Sequence, residues 1–158
     1  MATITRHPTS TSHSVIEILL VDDNDDDAVL IEEAFAQAKL LNVVNRAVDG
    51  EEALEFLSRR GRYKGATLPG LVLLDINMPK KNGFEVLHEM KSDPLLKHVP
   101  VVMLTTSHRD EDIVKSYGKG VCSFITKPVS FNEFNELAAR FSLYWALVAK
   151  VPRLHTHV

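Results

Sequence analysis

Apolar runs in this sequence end on residues that can do chemistry. Ile16 to Val21 runs into Asp22 and Asp23, Leu71 to Leu74 into Asp75, Pro100 to Leu104 into Thr105 and Thr106, and Cys122 to Thr126 into Lys127. Carboxylates, hydroxyls and an ammonium are the set needed to move a phosphoryl group onto a carboxylate. Such a nucleophile forms an acyl phosphate provided that a divalent cation offsets the incoming negative charge. Asp75 is the natural nucleophile. Asp22 and Asp23 would help hold Mg2+, a hard ion that prefers a few carboxylate oxygens and keeps several waters. Lys127 would bring a flexible point charge to a phosphoryl oxygen, and a threonine hydroxyl would add a hydrogen bond.

Each member also has an ordinary explanation. Five aspartates fill six positions from Asp22 to Asp27, and two unit charges about 4 Å apart repel by roughly 4 kcal/mol at an effective dielectric near 20. Either a cation offsets them or they form a solvated turn that favours the positive end of a helix dipole. The second account suits Asp25, Asp26 and Asp27 better than Asp22 and Asp23, which sit where an apolar run ends. Asp75 could simply open the turn marked by Pro79 and Asn82-Gly83. Lys127 could be a structural ion pair, and Thr105 an ordinary β-branched strand residue. These accounts do not jointly predict arrival at one edge.

That edge comes from the elements. Short apolar runs at Ile16 to Val21, Val43 to Val48, Leu71 to Asp75, Pro100 to Thr105 and Cys122 to Thr126 read as strands. Helical spacing lies between them: Val29, Ile31, Ala34, Phe35 and Ala38; then Ala53, Leu54 and Leu57; then Phe84, Leu87 and Met90. A fourth helix around Ile113 to Tyr117 follows the possible cap Ser107 with Asp110, and a fifth follows the Ser130 and Glu133 capping-box pattern. Strands apolar on both faces that alternate with helices imply an α/β fold, a doubly wound five-stranded parallel sheet covered on both sides. In such sheets ligands gather at the carboxyl ends of the strands.

At 158 residues, with 45% hydrophobic and 25% charged residues, the chain has the length and composition of one globular domain. A formal net charge of −3 offers no case for nucleic acid or an anionic membrane as partner. No run reaches the roughly 18 apolar residues of a membrane span, and the first residues lack the apolar core of a secretory signal. A cytoplasmic protein is expected. Residues 1–14, rich in Ser, Thr and His, read as a disordered tail, residues 15–148 as the folded domain and residues 149–158 as an extension. The single cysteine, Cys122, reads as a buried inert thiol.

Four motifs, "ILLVDDN", "LVLLDINMPKKNGFEVL", "PVVMLTTS" and "FITKPV", resemble in order and spacing the receiver domain of two-component response regulators. The resemblance covers about Ile16 to Val148 and implies the flavodoxin-like strand order 2-1-3-4-5, for which receivers are a standing example. It implies that Asp75 accepts a phosphoryl group from the phosphohistidine of a histidine kinase. Asp22, Asp23 and the backbone carbonyl of Asn77 would serve the Mg2+ site, Asp22 through water. Thr105 and Lys127 would bind phosphoryl oxygens, and Phe124 would occupy the aromatic switch position that tyrosine commonly holds. The Lys127-Pro128 peptide is commonly cis in such domains. Thr106 stands where Ala or Gly is frequent, and with Asn77 and Ser107 it would flank the path of attacking water, which implies a long-lived phosphorylated state. The "RRGRYKGATLPG" stretch, "PKKNG", "LTTS" and a long aromatic final helix resemble the small single-domain regulators that partner bacterial phytochromes.

No DNA-binding segment follows the sheet, so the signal is expected to pass to a downstream protein that the sequence leaves unidentified. In the last helix Phe134, Leu137, Phe141, Trp145 and Val148 recur at helical spacing. Phe131, Tyr144 and Leu147 add apolar area beyond one face, and Tyr and Trp are enriched at interfaces. A homodimer through Phe131, Phe141, Tyr144, Trp145 and Leu147 is the expectation. Two rival chemistries are weaker. A calcium loop would use Asp22, Asn24, Asp26 and Glu33, but Asp27 stands where its glycine must be. An aspartyl-phosphate phosphatase would need a larger insertion to enclose its substrate.

Overall fold

The computed structural model describes residues 16–37, 42–117, 123–127 and 132. Five strands, β1 (Ile16–Val21), β2 (Asn42–Ala47), β3 (Leu71–Asp75), β4 (Val101–Thr105) and β5 (Ser123–Thr126), form one parallel sheet in the order β2-β1-β3-β4-β5. Helices α1 (Asp25–Gln37), α2 (Gly50–Ser58), α3 (Gly83–Ser92) and α4 (His108–Ser116) connect them. This is the expected five-stranded doubly wound sheet. Among the described residues no helix is long and apolar enough to cross a membrane.

Every residue of β3 and β4 is buried, so the middle of the sheet is covered on both faces. Successive strand residues point to opposite faces. Leu19, Val21, Val72, Leu74 and Met103 therefore share one face, where they join Ala53, Leu57, Val86, Leu87 and Met90 in a single cluster. Ile18, Leu20, Leu71, Leu73 and Leu104 face the other way and are equally buried, and α1 adds Ala28 and Ile31 to the buried set.

Caps start the helices where polar residues meet exposed backbone. Asn24 Oδ1 accepts the Asp27 N–H at 2.9 Å, Asp49 that of Glu52 at 2.8 Å and Ser107 Oγ that of Asp110 at 3.1 Å. Asn82 and Glu85 form a reciprocal capping box at the head of α3. The N-x-x-E spacing of Asn82 and Glu85 carries this box as well as the Asn82-Gly83 turn signal.

Three expectations need correction. Val29 belongs to the wrong face of α1: it is 52% exposed, and Ala28 and Ile31 carry the buried stripe. β2 ends at Ala47, and Val48 is 46% exposed because its N–H turns away to Glu52 Oε1, 2.7 Å distant. β4 begins at Val101 rather than Pro100, which has no N–H for a ladder. The side chains of Ala34 and Phe35 and the residues Ala38 and Cys122 lie outside the described structure. So do Pro128, residues 1–14 and 149–158, and the last helix with its expected cap.

Between α2 and β3, Arg59 takes a left-handed conformation (φ 55°) and Gly61–Tyr63 makes a 3-10 turn. The Tyr63 ring meets Phe56 edge to face at 5.1 Å, and its hydroxyl donates to Glu52, which also takes Arg62. The insertion is thus anchored on α2.

Candidate functional site

The carboxyl ends of β1, β3, β4 and β5 bring Asp22, Asp23, Asp75, Thr105 and Lys127 to one edge of the sheet. One carboxylate oxygen from each of Asp22, Asp23 and Asp75 lies within 4.8 Å of the others. Asp22 is fully buried, Asp75 is 5% exposed and Asp23 is open to solvent. A triad of hard oxygen ligands, two buried and one reachable, could hold a divalent cation.

Backbone approach sets the position of Asp75. The Gly83 N–H donates to the Ile76 carbonyl at 2.7 Å, and a Cβ on Gly83 would stand 2.4 Å from the Asp75 carbonyl oxygen. Only glycine permits that contact. The loop between them turns at Lys80, which has φ 68°. A Cβ on Gly50 would meet the Lys81 carbonyl oxygen at 2.3 Å, so α2 presses on the same loop.

Asp22 is held from several directions. Its Oδ1 accepts the Asn24 N–H at 2.9 Å and its backbone N–H donates to Ala47 at 3.1 Å. Arg46 Nε and a terminal nitrogen donate to the Asp22 carbonyl at 3.1 and 2.8 Å, while the other terminal nitrogen pairs with Asp25 at 2.7 Å. Sequence reasoning missed Arg46, whose place on an edge strand carries no signal of what it reaches.

The Lys127 ammonium is nearly buried and faces three carboxylates: Asp27 at 2.9 Å, Asp22 at 3.0 Å and Asp75 at 3.6 Å. Its backbone N–H donates to Thr105 at 2.5 Å. Burial alone would lower the lysine pKa, but the hydrogen bonds to Asp27 and Asp22 and the Asp75 charge outweigh it and hold the group above its ordinary value. Asp75 moves the other way for a carboxyl. Burial first, then the Asp22 charge, push it from 3.8 to about 7 against the pull of Lys127, with Asp23 adding to the rise.

Thr105 Oγ1 is buried without a hydrogen-bond partner among the described residues. Buried hydroxyls are normally satisfied, so this one stands out at the sheet edge. Thr106 and Asn77 lie exposed at the rim. Ser107 also lies there, but its hydroxyl caps α4. Phe124 is half-buried against the core, with Lys115 Nζ 5.7 Å from its ring centre. Phe131, Phe141, Tyr144, Trp145 and Leu147 lie outside the described residues. The calcium-loop alternative fails on geometry, since Asn24 is spent on a cap and β1 stands where a helix is needed.

Residues 18–139 match the response regulator receiver domain. Response regulator Rcp1 of Synechocystis sp. is 36% identical over 135 residues, covering 85% of this chain and 92% of that protein. The structure of its Mn2+-bound form superposes with a TM-score of 0.70 at 37% identity, over 83% of this chain and 94% of the other. The phosphorylated cyanobacterial phytochrome response regulator RcpA gives a TM-score of 0.72 at 42% identity, over 84% of this chain and 94% of that one. The bacteriophytochrome response regulator AtBRR gives 0.70 at 43%, over 80% and 91%. By family match, fold and relatives alike, the chain belongs to the response regulator receiver domains.

Proposed function

We propose that this protein is a single-domain response regulator that takes a phosphoryl group on Asp75 from a sensor histidine kinase of the bacteriophytochrome type. The observation that carries this reading is the cluster at the strand ends: Asp75 within 4.8 Å of Asp22 and Asp23 by ligand atoms, with the Lys127 ammonium 3.6 Å away. In the transfer, an Asp75 carboxylate oxygen forms a P–O bond as the P–N bond to the kinase imidazole breaks, and the bonding pair leaves with the ring. Asp23, Asp75 and the Asn77 backbone carbonyl, with Asp22 through water, would hold Mg2+, which when bound would supply positive charge to offset the incoming phosphoryl group. Lys127 and the Thr105 hydroxyl bind its oxygens. Hydrolysis returns the Asp75 carboxylate and inorganic phosphate, and the chain is a stoichiometric acceptor rather than a turnover enzyme. Relatives named as phytochrome response regulators support the choice of kinase.

Output follows as a population shift. Engagement of Thr105 Oγ1 by a phosphoryl oxygen draws the hydroxyl inward, frees space for Phe124 and changes the surface offered by α4 and β5 to a downstream protein. Thr106, with Asn77 and Ser107, slows attacking water. A homodimer through the last helix in the cytoplasm completes the proposal. Equilibrium sedimentation showing a monomer at micromolar concentration, with and without phosphorylation, would remove the dimer.

Intact-mass spectrometry after incubation with acetyl phosphate tests the acceptor. One phosphoryl adduct that requires Mg2+, is absent in EDTA and is lost in Asp75→Asn is expected. An adduct that persists in Asp75→Asn would move the acceptor elsewhere.

A further inference from the structure

Asp27 stands at the start of α1, where its sequence position suggests only a helix-dipole charge, yet it makes the shortest of the three carboxylate contacts to Lys127. An ammonium has three N–H donors. Asp27 Oδ2 at 2.9 Å and Asp22 Oδ2 at 3.0 Å take two of them, and Asp75 Oδ1 at 3.6 Å lies beyond hydrogen-bond distance. The ammonium thus stands beside the nucleophile without spending a hydrogen bond on it.

Both anchors are themselves fixed. Asp22 is tied down by Arg46 and Asn24, and Asp27 sits in the first turn of α1 with its N–H on Asn24 Oδ1 at 2.9 Å. They come from a strand end and a helix, so together they locate an ammonium that otherwise swings on a four-carbon stem. The neighbouring Asp25 is 85% exposed at its side chain and pairs instead with Arg46, so the helix-start aspartates are not equivalent.

We propose that Asp27 is a positioning residue: it holds the Lys127 ammonium off Asp75, keeping the nucleophile's lone pairs free and one N–H ready for the arriving phosphoryl oxygen. This rests on the phosphoacceptor reading above. Without Asp27, Asp22 and Asp75 are the carboxylates left facing the ammonium among the described residues, and it settles onto the nucleophile. A merely structural aspartate would leave Lys127 where it is.

The test compares wild type, Asp27→Ala, Asp27→Asn and, as a control that removes the same charge from the same helical turn, Asp26→Ala. The phosphorylation rate with acetyl phosphate is measured at saturating Mg2+, and the Lys127 ammonium is followed separately by 1H–15N NMR on the metal-free chain. Asp27→Ala should slow phosphorylation about tenfold and shift the ammonium signal, Asp26→Ala should stay within about twofold, and Asp27→Asn, which keeps an acceptor oxygen, should recover much of the rate. Equal slowing in Asp26→Ala and Asp27→Ala, or an unmoved ammonium signal in Asp27→Ala, overturns the proposal. If wild type forms no Asp75 adduct, the phosphoacceptor reading fails, and the ammonium signal still decides the role of Asp27.

Discussion

Replacing Asp75 by Asn should stabilise the metal-free protein, and by an amount that depends on pH. In the folded chain burial and the Asp22 and Asp23 charges raise the Asp75 carboxyl from 3.8 to about 7, net of the attraction to Lys127. The folded state therefore holds a proton that the unfolded state has released, and stability falls as pH rises between those two values. Below about pH 4 both states are protonated and no penalty is felt. Above about pH 7 both are ionised and the full penalty stands. At about 1.4 kcal/mol per tenfold change, the rise corresponds to roughly 4 kcal/mol as an upper limit. Water reaching the open side through Asp23 screens part of it, so about 2 kcal/mol is the expected difference. An asparagine carries no such penalty. Urea unfolding in EDTA across the acid to mildly alkaline range, on wild type and Asp75→Asn, measures it. The variant should gain about 2 kcal/mol on wild type between about pH 4 and about pH 8, level off above, and lose the advantage when saturating Mg2+ is added. A gap that is independent of pH, or that shrinks as pH rises, refutes the account of Asp75 as a carboxylate ionised at a cost.

Other outcomes follow from the same contacts. Mg2+ at about a hundred times its dissociation constant should stabilise wild type by about 2.7 kcal/mol, and much less in Asp23→Asn, as thermal melts would record. Thr105→Val should be close to neutral for stability, because it removes a buried hydroxyl that has no partner among the described residues, while slowing phosphorylation by acetyl phosphate; a large loss of stability would mean that the hydroxyl is satisfied in the resting state. Gly83→Ala should cost about 2 kcal/mol or more in urea unfolding and weaken Mg2+ binding in calorimetry, since its Cβ would press on the Asp75 backbone. Thr106→Ala should shorten the life of the phosphorylated state, and an unchanged decay of the adduct by mass spectrometry would remove Thr106 from that role.

The alternation of apolar runs with helical spacing was enough to foresee a parallel sheet, because strands buried on both faces must be apolar throughout, as β3 and β4 are. Once strand ends are known, the gathering of Asp22, Asp23, Asp75, Thr105 and Lys127 at one edge follows from the parallel arrangement. Local signals also sufficed for the Ser107 cap, since a cap acts within three residues. What only the tertiary structure decided are relations between residues far apart in the chain. The pairing of Lys127 with Asp27, the grip of Arg46 on the Asp22 carbonyl and the pressure of Gly83 on Asp75 leave no periodic trace, because a side chain's reach depends on which elements lie beside it. The exposure of Val29 belongs with them: the helical pattern showed that α1 has an apolar stripe, but Val29 adjoins that stripe, and only the packing of Ala28 and Ile31 settled which way the helix is turned. Residue types and spacing thus determined the sheet and which groups gather at its edge, whereas the folded contacts determined how each charge there is held.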